Sequence, residues 1–77
     1  MALIRIINPN SNEGVTQAIS EALEPLRLND GPEIDCVTIA EGPFGVESDH
    51  DVRVAGALVR DEVNKDTEAA AFVIACY

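Results

Sequence analysis

Three short apolar runs alternate with two stretches in which apolar residues recur every three or four positions. The first run, Leu3 to Ile7, is β-branched and broken only by Arg5, which predicts a strand. It stops at Asn8-Pro9-Asn10-Ser11-Asn12, because Pro9 has no N–H to donate and holds Asn8 in an extended conformation. Val15, Ile19, Ala22, Leu23 and Leu26 then mark one buried face of a helix. Its exposed amides can be capped by Asn10 with Glu13, or by Asn12 alone. Pro25 either ends the regular part at Leu23 or Glu24 or kinks it, and Asn29-Asp30-Gly31 is a stop signal.

The pattern then repeats. Ile34 to Ile39 predicts a second strand with Cys36 in its middle, ended by the turn-rich Glu41-Gly42-Pro43-Phe44-Gly45. Val52, Ala55, Leu58, Val59 and Val63 predict a second helix over Asp49 to Asn64, with Ser48 and Asp51 resembling a capping box. Gly56 weakens that helix by roughly 1 kcal/mol relative to Ala and can allow close packing on the sheet. The apolar run Ala69 to Tyr77 reads as a third, buried strand over Ala70 to Cys76. The order is βαβαβ, an α/β fold whose helical connections imply parallel strands and right-handed crossovers. Three loops then meet at one sheet edge: Asn8 to Asn12, Gly42 to Gly45, and Cys76-Tyr77. Ligands of open α/β sheets bind just outside the carboxyl ends of strands, so the front part of a site is expected there.

Composition narrows the function classes. Seventy-seven residues make at most one small domain, burying only about 60% of its unfolded surface. The chain is 47% hydrophobic and 25% charged, with 14 acidic against 5 basic side chains and a net charge of −9. So acidic a chain lacks the basic footprint that nucleic acid requires and the one that an anionic membrane attracts. Met1 to Ile7 is too short for a signal sequence, and no apolar stretch approaches the roughly 20 residues of a membrane span. Two cysteines are too few for a disulfide framework and lack the spacing of a metal site. A cytoplasmic protein with reduced thiols and no metal is expected.

The candidate chemistry sits at the three loops. Cys76 is either a core cysteine at a strand end or a reactive thiol whose thiolate nearby backbone amides can stabilise. Cys36, inside a strand, reads as structural. The Asn8 to Asn12 cluster is a turn and helix cap, or a set of amides able to hydrogen-bond an imide or carboxylate. Gly42-Pro43-Phe44-Gly45 is a tight turn or a loop whose backbone approaches a ligand. His50 reads as a surface or capping residue, and Glu41 and Glu47 as solvated acids. Neither phosphate-binding glycine motif follows the first strand, and Asn8 stands where a metal-dependent receiver domain would carry acid.

Arg5-Ile6-Ile7-Asn8-Pro9-Asn10-Ser11-Asn12, Val37-Thr38 leading to Gly42-Pro43, Val46-Glu47-Ser48, and Val73-Ile74-Ala75-Cys76-Tyr77 occur in register over nearly the whole chain. Together they resemble the N-terminal portion of the Asp/Glu/hydantoin racemase family, and within it the hydantoin and allantoin racemase branch. The resemblance implies a doubly wound, flavodoxin-like domain and a cofactor-independent enzyme of two similar α/β domains. One cysteine from each domain flanks the substrate's acidic carbon; one thiolate removes the proton and the opposite thiol returns one. Carried over, Cys76 matches the first catalytic cysteine and Asn8 the polar substrate contact at the end of strand one. Gly42 and Pro43 match the pocket-lining loop, and the amide of Tyr77 faces the substrate carbonyl.

The chemistry suits the residues, because the carbon acid of a hydantoin ring adjoins a carbonyl and gives an enolate that amides stabilise. A thiol, with an ordinary pKa of about 8.5, is adjustable toward that task. A small-molecule substrate and a homo-oligomer are expected of the full-length form. Residues 1–77 are expected to be the N-terminal portion of the first domain, with the second domain and its cysteine outside this chain. Alone, the 77 residues have one base and no opposing acid, so no racemisation is expected of them. The alternatives are a one-cysteine decarboxylase or cis-trans isomerase of the same superfamily, and a non-catalytic module that pairs its open third strand with a partner.

Overall fold

A computed structural model describes residues 2–76. The elements are β1 (Leu3–Asn8), α1 (Glu13–Ala22), a single 3-10 turn (Glu24–Leu26), β2 (Glu33–Thr38), α2 (Asp49–Lys65) and β3 (Ala71–Ile74). The fold is α/β, as the alternation of strand and helix patterns requires. All three strands are parallel in the order β2-β1-β3. β1 pairs with β2 from Leu3↔Glu33 to Asn8↔Thr38 and with β3 from Ile4↔Ala71 to Ile7↔Ile74. Backbone bonds from Ala70 N to Leu3 O and from Ala75 N to Ile7 O extend the second pairing by a residue at each end.

This order puts the first two connections on opposite faces. The chain leaves β1 through α1 to β2 on one side, then crosses β1 through α2 to β3 on the other. The reversal makes the space beyond β1 and β3 the topological switch point of the sheet.

The helix boundaries have local causes. Asn12 caps α1, its side chain accepting from the Gly14 N–H. Pro25 ends the regular helix: α1 stops at Ala22, and the chain tightens into the 3-10 turn. The expected apolar face of α1 therefore stops short, and Leu26 is left 60% exposed. Ser48 caps α2 by accepting from the Asp51 N–H, but the Asp51 carboxylate returns to the Glu47 N–H rather than to that of Ser48. The closed capping box expected from the sequence is thus displaced by one residue.

The core is Ile6, Ile7, Ile39 and Ala55, centred on β1. The expectation that the third strand is buried is not met: Val73 is 48% and Ile74 45% exposed. An apolar run reports what a strand can bury, whereas its place in the sheet decides what covers it; β1 has a strand on each side, and β3 has one. On α2, Val52 is likewise exposed although it shares the apolar stripe with Ala55.

Arg5, the one charged residue of β1, is held by carboxylates. Its Nε donates to Asp66 just beyond α2 at 2.9 Å, and its Nη1 pairs with Asp35 on β2. Asp66 also accepts from the Glu68 and Ala69 amides at 2.9 and 3.0 Å, shaping the entry to β3. The Arg5 guanidinium, then these two amides, hold the Asp66 carboxyl down from its ordinary 3.8 to about 2. Arg5 in turn is held above its ordinary range, chiefly by its hydrogen bond to Asp66. Because Asp66 is more acidic folded than unfolded, its stabilising contribution is complete above its unfolded pKa and is lost as pH falls from about 4 toward 2. Denaturation measured across that window is expected to show a steeper loss of stability for the native protein than for Asp66→Asn. Equal slopes would contradict the linkage.

Candidate active site

Asn8 ends β1 with its side chain only 1% exposed, the one buried polar residue among the described residues. Its Nδ2 lies 2.9 Å from Asn10 Oδ1, 3.2 Å from the Asn12 carbonyl and 3.0 Å from Thr16 Oγ1, and its Oδ1 accepts from the Asn10 N–H. Asn10 Oδ1 accepts in turn from the Asn12 N–H at 2.9 Å. The asparagine cluster thus folds the loop after β1 onto itself and delivers it into α1. The two hydrogens on Nδ2 are shared among these three acceptors, so the buried Asn8 amide is committed to its own loop and to Thr16. Its partner Thr16 is on α1, which places the side chain on the α1 face of the sheet.

The loop after β2 closes onto the loop after β1. The Ser11 N–H donates to the Pro43 carbonyl at 2.9 Å, and the Gly42 N–H to the Ile39 carbonyl at 3.0 Å. Gly42 is needed at this contact: a Cβ there would stand 2.7 Å from the Pro9 carbonyl and 3.1 Å from that of Ile39. Any side chain must separate the two loops. Phe44, at the tip of the second loop, is 72% exposed.

Cys76 follows the last β1–β3 bond and is exposed, with a free thiol. It lines a cleft of about 200 Å³ with Pro9, Val46 and Ile74 on one side and Val52, Ala55, Gly56 and Val59 of α2 on the other. The cleft lies on the α2 face at the switch point between β1 and β3. The first and third loops therefore meet there through Pro9 and Cys76, the second reaches it through Val46, and the Asn8 side chain faces the opposite side. Tyr77 lies outside the described residues. The cleft lining carries no charged group. Arg5 and Lys65 are paired with carboxylates, and the Arg27 donors are taken by Ser20, Glu24 and the Ile34 carbonyl.

Gly56 does not act as the close-packing residue its sequence context allowed, since nothing lies within 4 Å of where its Cβ would stand. Gly56→Ala is expected to raise stability by roughly 0.5–1 kcal/mol through helix propensity alone, read as a higher urea midpoint at unchanged m-value. A lower midpoint would show that the cleft is tighter than this geometry.

Cys36, the other free thiol, is half-buried on the opposite face of the sheet. It lines a polar depression of about 300 Å³ with Thr16, Ser20, Arg27 and Thr38. The sheet itself separates the two sulfurs' surroundings. His50 is exposed in the first turn of α2, and Glu41 and Glu47 are exposed.

Comparison with known proteins adds what geometry alone does not. The profile described as Asp/Glu/Hydantoin racemase matches residues 4–77. The chain belongs to the Asp/Glu/hydantoin racemase family. A hydantoin racemase of Pseudomonas sp. (strain NS671) is 34% identical over 76 residues, covering 96% of this chain and 30% of the relative. The chain thus spans about a third of the length of that relative. No solved structure matches significantly. Among the described residues, no helix is long and apolar enough to cross a membrane. Within this racemase family, an α/β sheet with a cysteine just past its third strand places the candidate thiol at the fold's customary ligand crevice.

Proposed function

We propose that this segment contributes one wall and one acid/base thiol to a racemase acting on a neutral, hydantoin-like or amino-acid-derived carbon acid. The observation that carries the reading is the position of Cys76: exposed, at the carboxyl end of β3, in an uncharged cleft at the switch point. The Cys76 thiolate takes the proton from the carbon beside the substrate carbonyl, and the electron pair moves onto that oxygen as an enolate. A second acid on the other face of the planar carbon returns a proton, and the two thiol states exchange. No cofactor enters this cycle.

Cys36 does not serve as the second acid, because the sheet stands between it and the cleft. That group belongs to chain outside residues 1–77, in keeping with the relative's greater length. An uncharged wall favours a neutral ring over a dicarboxylate, whose second carboxylate would meet no cation on this side of the cleft. The match to a relative named hydantoin racemase supports the same choice. In the proposed arrangement, Gly42 and Pro43 keep the second loop against the first, Asn8 holds the first loop, and Tyr77 offers its amide to the substrate carbonyl.

The test is α-proton exchange of a 5-substituted hydantoin in D₂O, followed by NMR with the intact protein and chiral analysis of the product. Exchange with inversion is expected. Exchange with full retention, or none, would overturn the racemase assignment.

A further inference from the structure

The cleft is shaped on the α2 face, yet the polar network that holds its first loop is anchored on the α1 face. Asn8 Nδ2 donates to Thr16 Oγ1 at 3.0 Å, and Thr16 Oγ1 lies 2.7 Å from Thr38 Oγ1. Thr16 is in the first half of α1 and Thr38 is the last residue of β2. Neither touches the cleft; both line the depression on the far side of the sheet. Their two hydroxyls tie three elements together at one point, the carboxyl end of β1. From there, one peptide leads to the buried Pro9, which is part of the cleft wall beside Cys76.

We infer that Thr16 and Thr38 are positioning residues for the Cys76 cleft, acting through Asn8 from the opposite face of the sheet. The hydroxyl is what matters at both sites. Valine has the same shape as threonine but can neither accept from Asn8 nor complete the Thr16–Thr38 bond. With Thr16→Val the Asn8 amide keeps only its loop partners, Asn10 and Asn12, and the loop is tied neither to α1 nor to β2; with Thr38→Val it keeps Thr16, and the tie to β2 alone is lost. The Ser11–Pro43 bond, which joins the first two loops, is the next link. Serine retains the hydroxyl and so retains the tie. This inference extends the proposed role of Cys76 but concerns its setting, so it is read without turnover.

The experiment uses Thr16→Val, Thr38→Val and Thr16→Ser in the intact protein. Amide exchange at Ser11 and iodoacetamide alkylation of Cys76 are compared with exchange in the middle of β1, which reports the stability of the sheet. Both valine variants are expected to speed Ser11 exchange by about fivefold, the factor that follows from losing one net hydrogen bond. Cys76 alkylation should change in parallel, β1 exchange should hold, and Thr16→Ser should restore native values. Uniform acceleration at Ser11 and in β1 would mean a general loss of stability and overturn the inference. Unchanged Ser11 exchange and alkylation would overturn it equally. If the wild-type protein proves not to exchange a hydantoin proton, the racemase reading falls while this result still stands or fails by itself.

Discussion

Cys76→Ala is expected to abolish racemisation, and with it α-proton exchange from the enantiomer whose hydrogen faces Cys76, while Cys76→Ser leaves a trace. A positioned general base contributes about 10²–10⁴-fold, and no other group on this wall of the cleft can replace it on the same face of the substrate, because the remaining lining side chains are apolar or glycine. Serine keeps the geometry, but a hydroxyl is far too weak an acid to supply a useful fraction of anion at neutral pH. The loss should fall on kcat, since a thiol at the reacting carbon acts in the transition state rather than in ground-state binding. Folding should be unaffected: Cys76 is exposed and lies beyond the last ladder bond of β3. Circular dichroism and urea unfolding of both variants check that point. Full racemisation by a correctly folded Cys76→Ala protein would remove the thiol from the mechanism.

The second large effect is on stability. Asn8→Asp is expected to cost about 3 kcal/mol or more, in the range found when a buried charge loses its partner. The two side chains have the same shape, but the amide nitrogen faces Asn10 Oδ1, the Asn12 carbonyl and Thr16 Oγ1. A carboxylate oxygen there meets acceptors at hydrogen-bond distance in a site 1% exposed. Asn8→Ala removes the same bonds without adding charge and should cost less, about 1–3 kcal/mol. The diagnostic is the ordering Asp worse than Ala, measured by denaturant unfolding near neutral pH and expected to narrow in acid as the carboxyl protonates. If Asp is tolerated better than Ala, the amide is not oriented as described.

Asn8 also shows where sequence reasoning reached and where it stopped. An asparagine at a strand end, before Pro9, identifies a loop that carries chemistry. Its family resemblance implies substrate contact. In the structure its amide is buried and bonded to Asn10, to Asn12 and to Thr16 of α1, which fixes the peptide that leads to Pro9. The sequence signal was the cluster itself: three asparagines in five residues are as suited to bonding one another as to bonding a ligand. Thr16 and Thr38 carry no local signal at all, being a helix and a strand threonine 22 residues apart.

The strand and helix patterns, by contrast, were legible to within a residue or two. Hydrophobic period and proline position are local properties that the backbone obeys wherever the segment lies. Ala71–Ile74 was recognisable as a strand for the same reason, but not as a strand half open to solvent.

The chain's alternation of periods, its proline stops and its order of loops are enough to determine a parallel βαβαβ unit with Asn8, Gly42 and Cys76 at one end of it. Those are consequences of steric limits and apolar spacing, which act residue by residue. Which face each group serves was decided only by the fold. The order β2-β1-β3 turned Cys76 toward α2 with Pro9 and Val46, and turned Asn8 and Cys36 toward α1. Neighbours in a sheet are set by how strands pair over long separations, a global choice of packing that no short stretch of sequence contains.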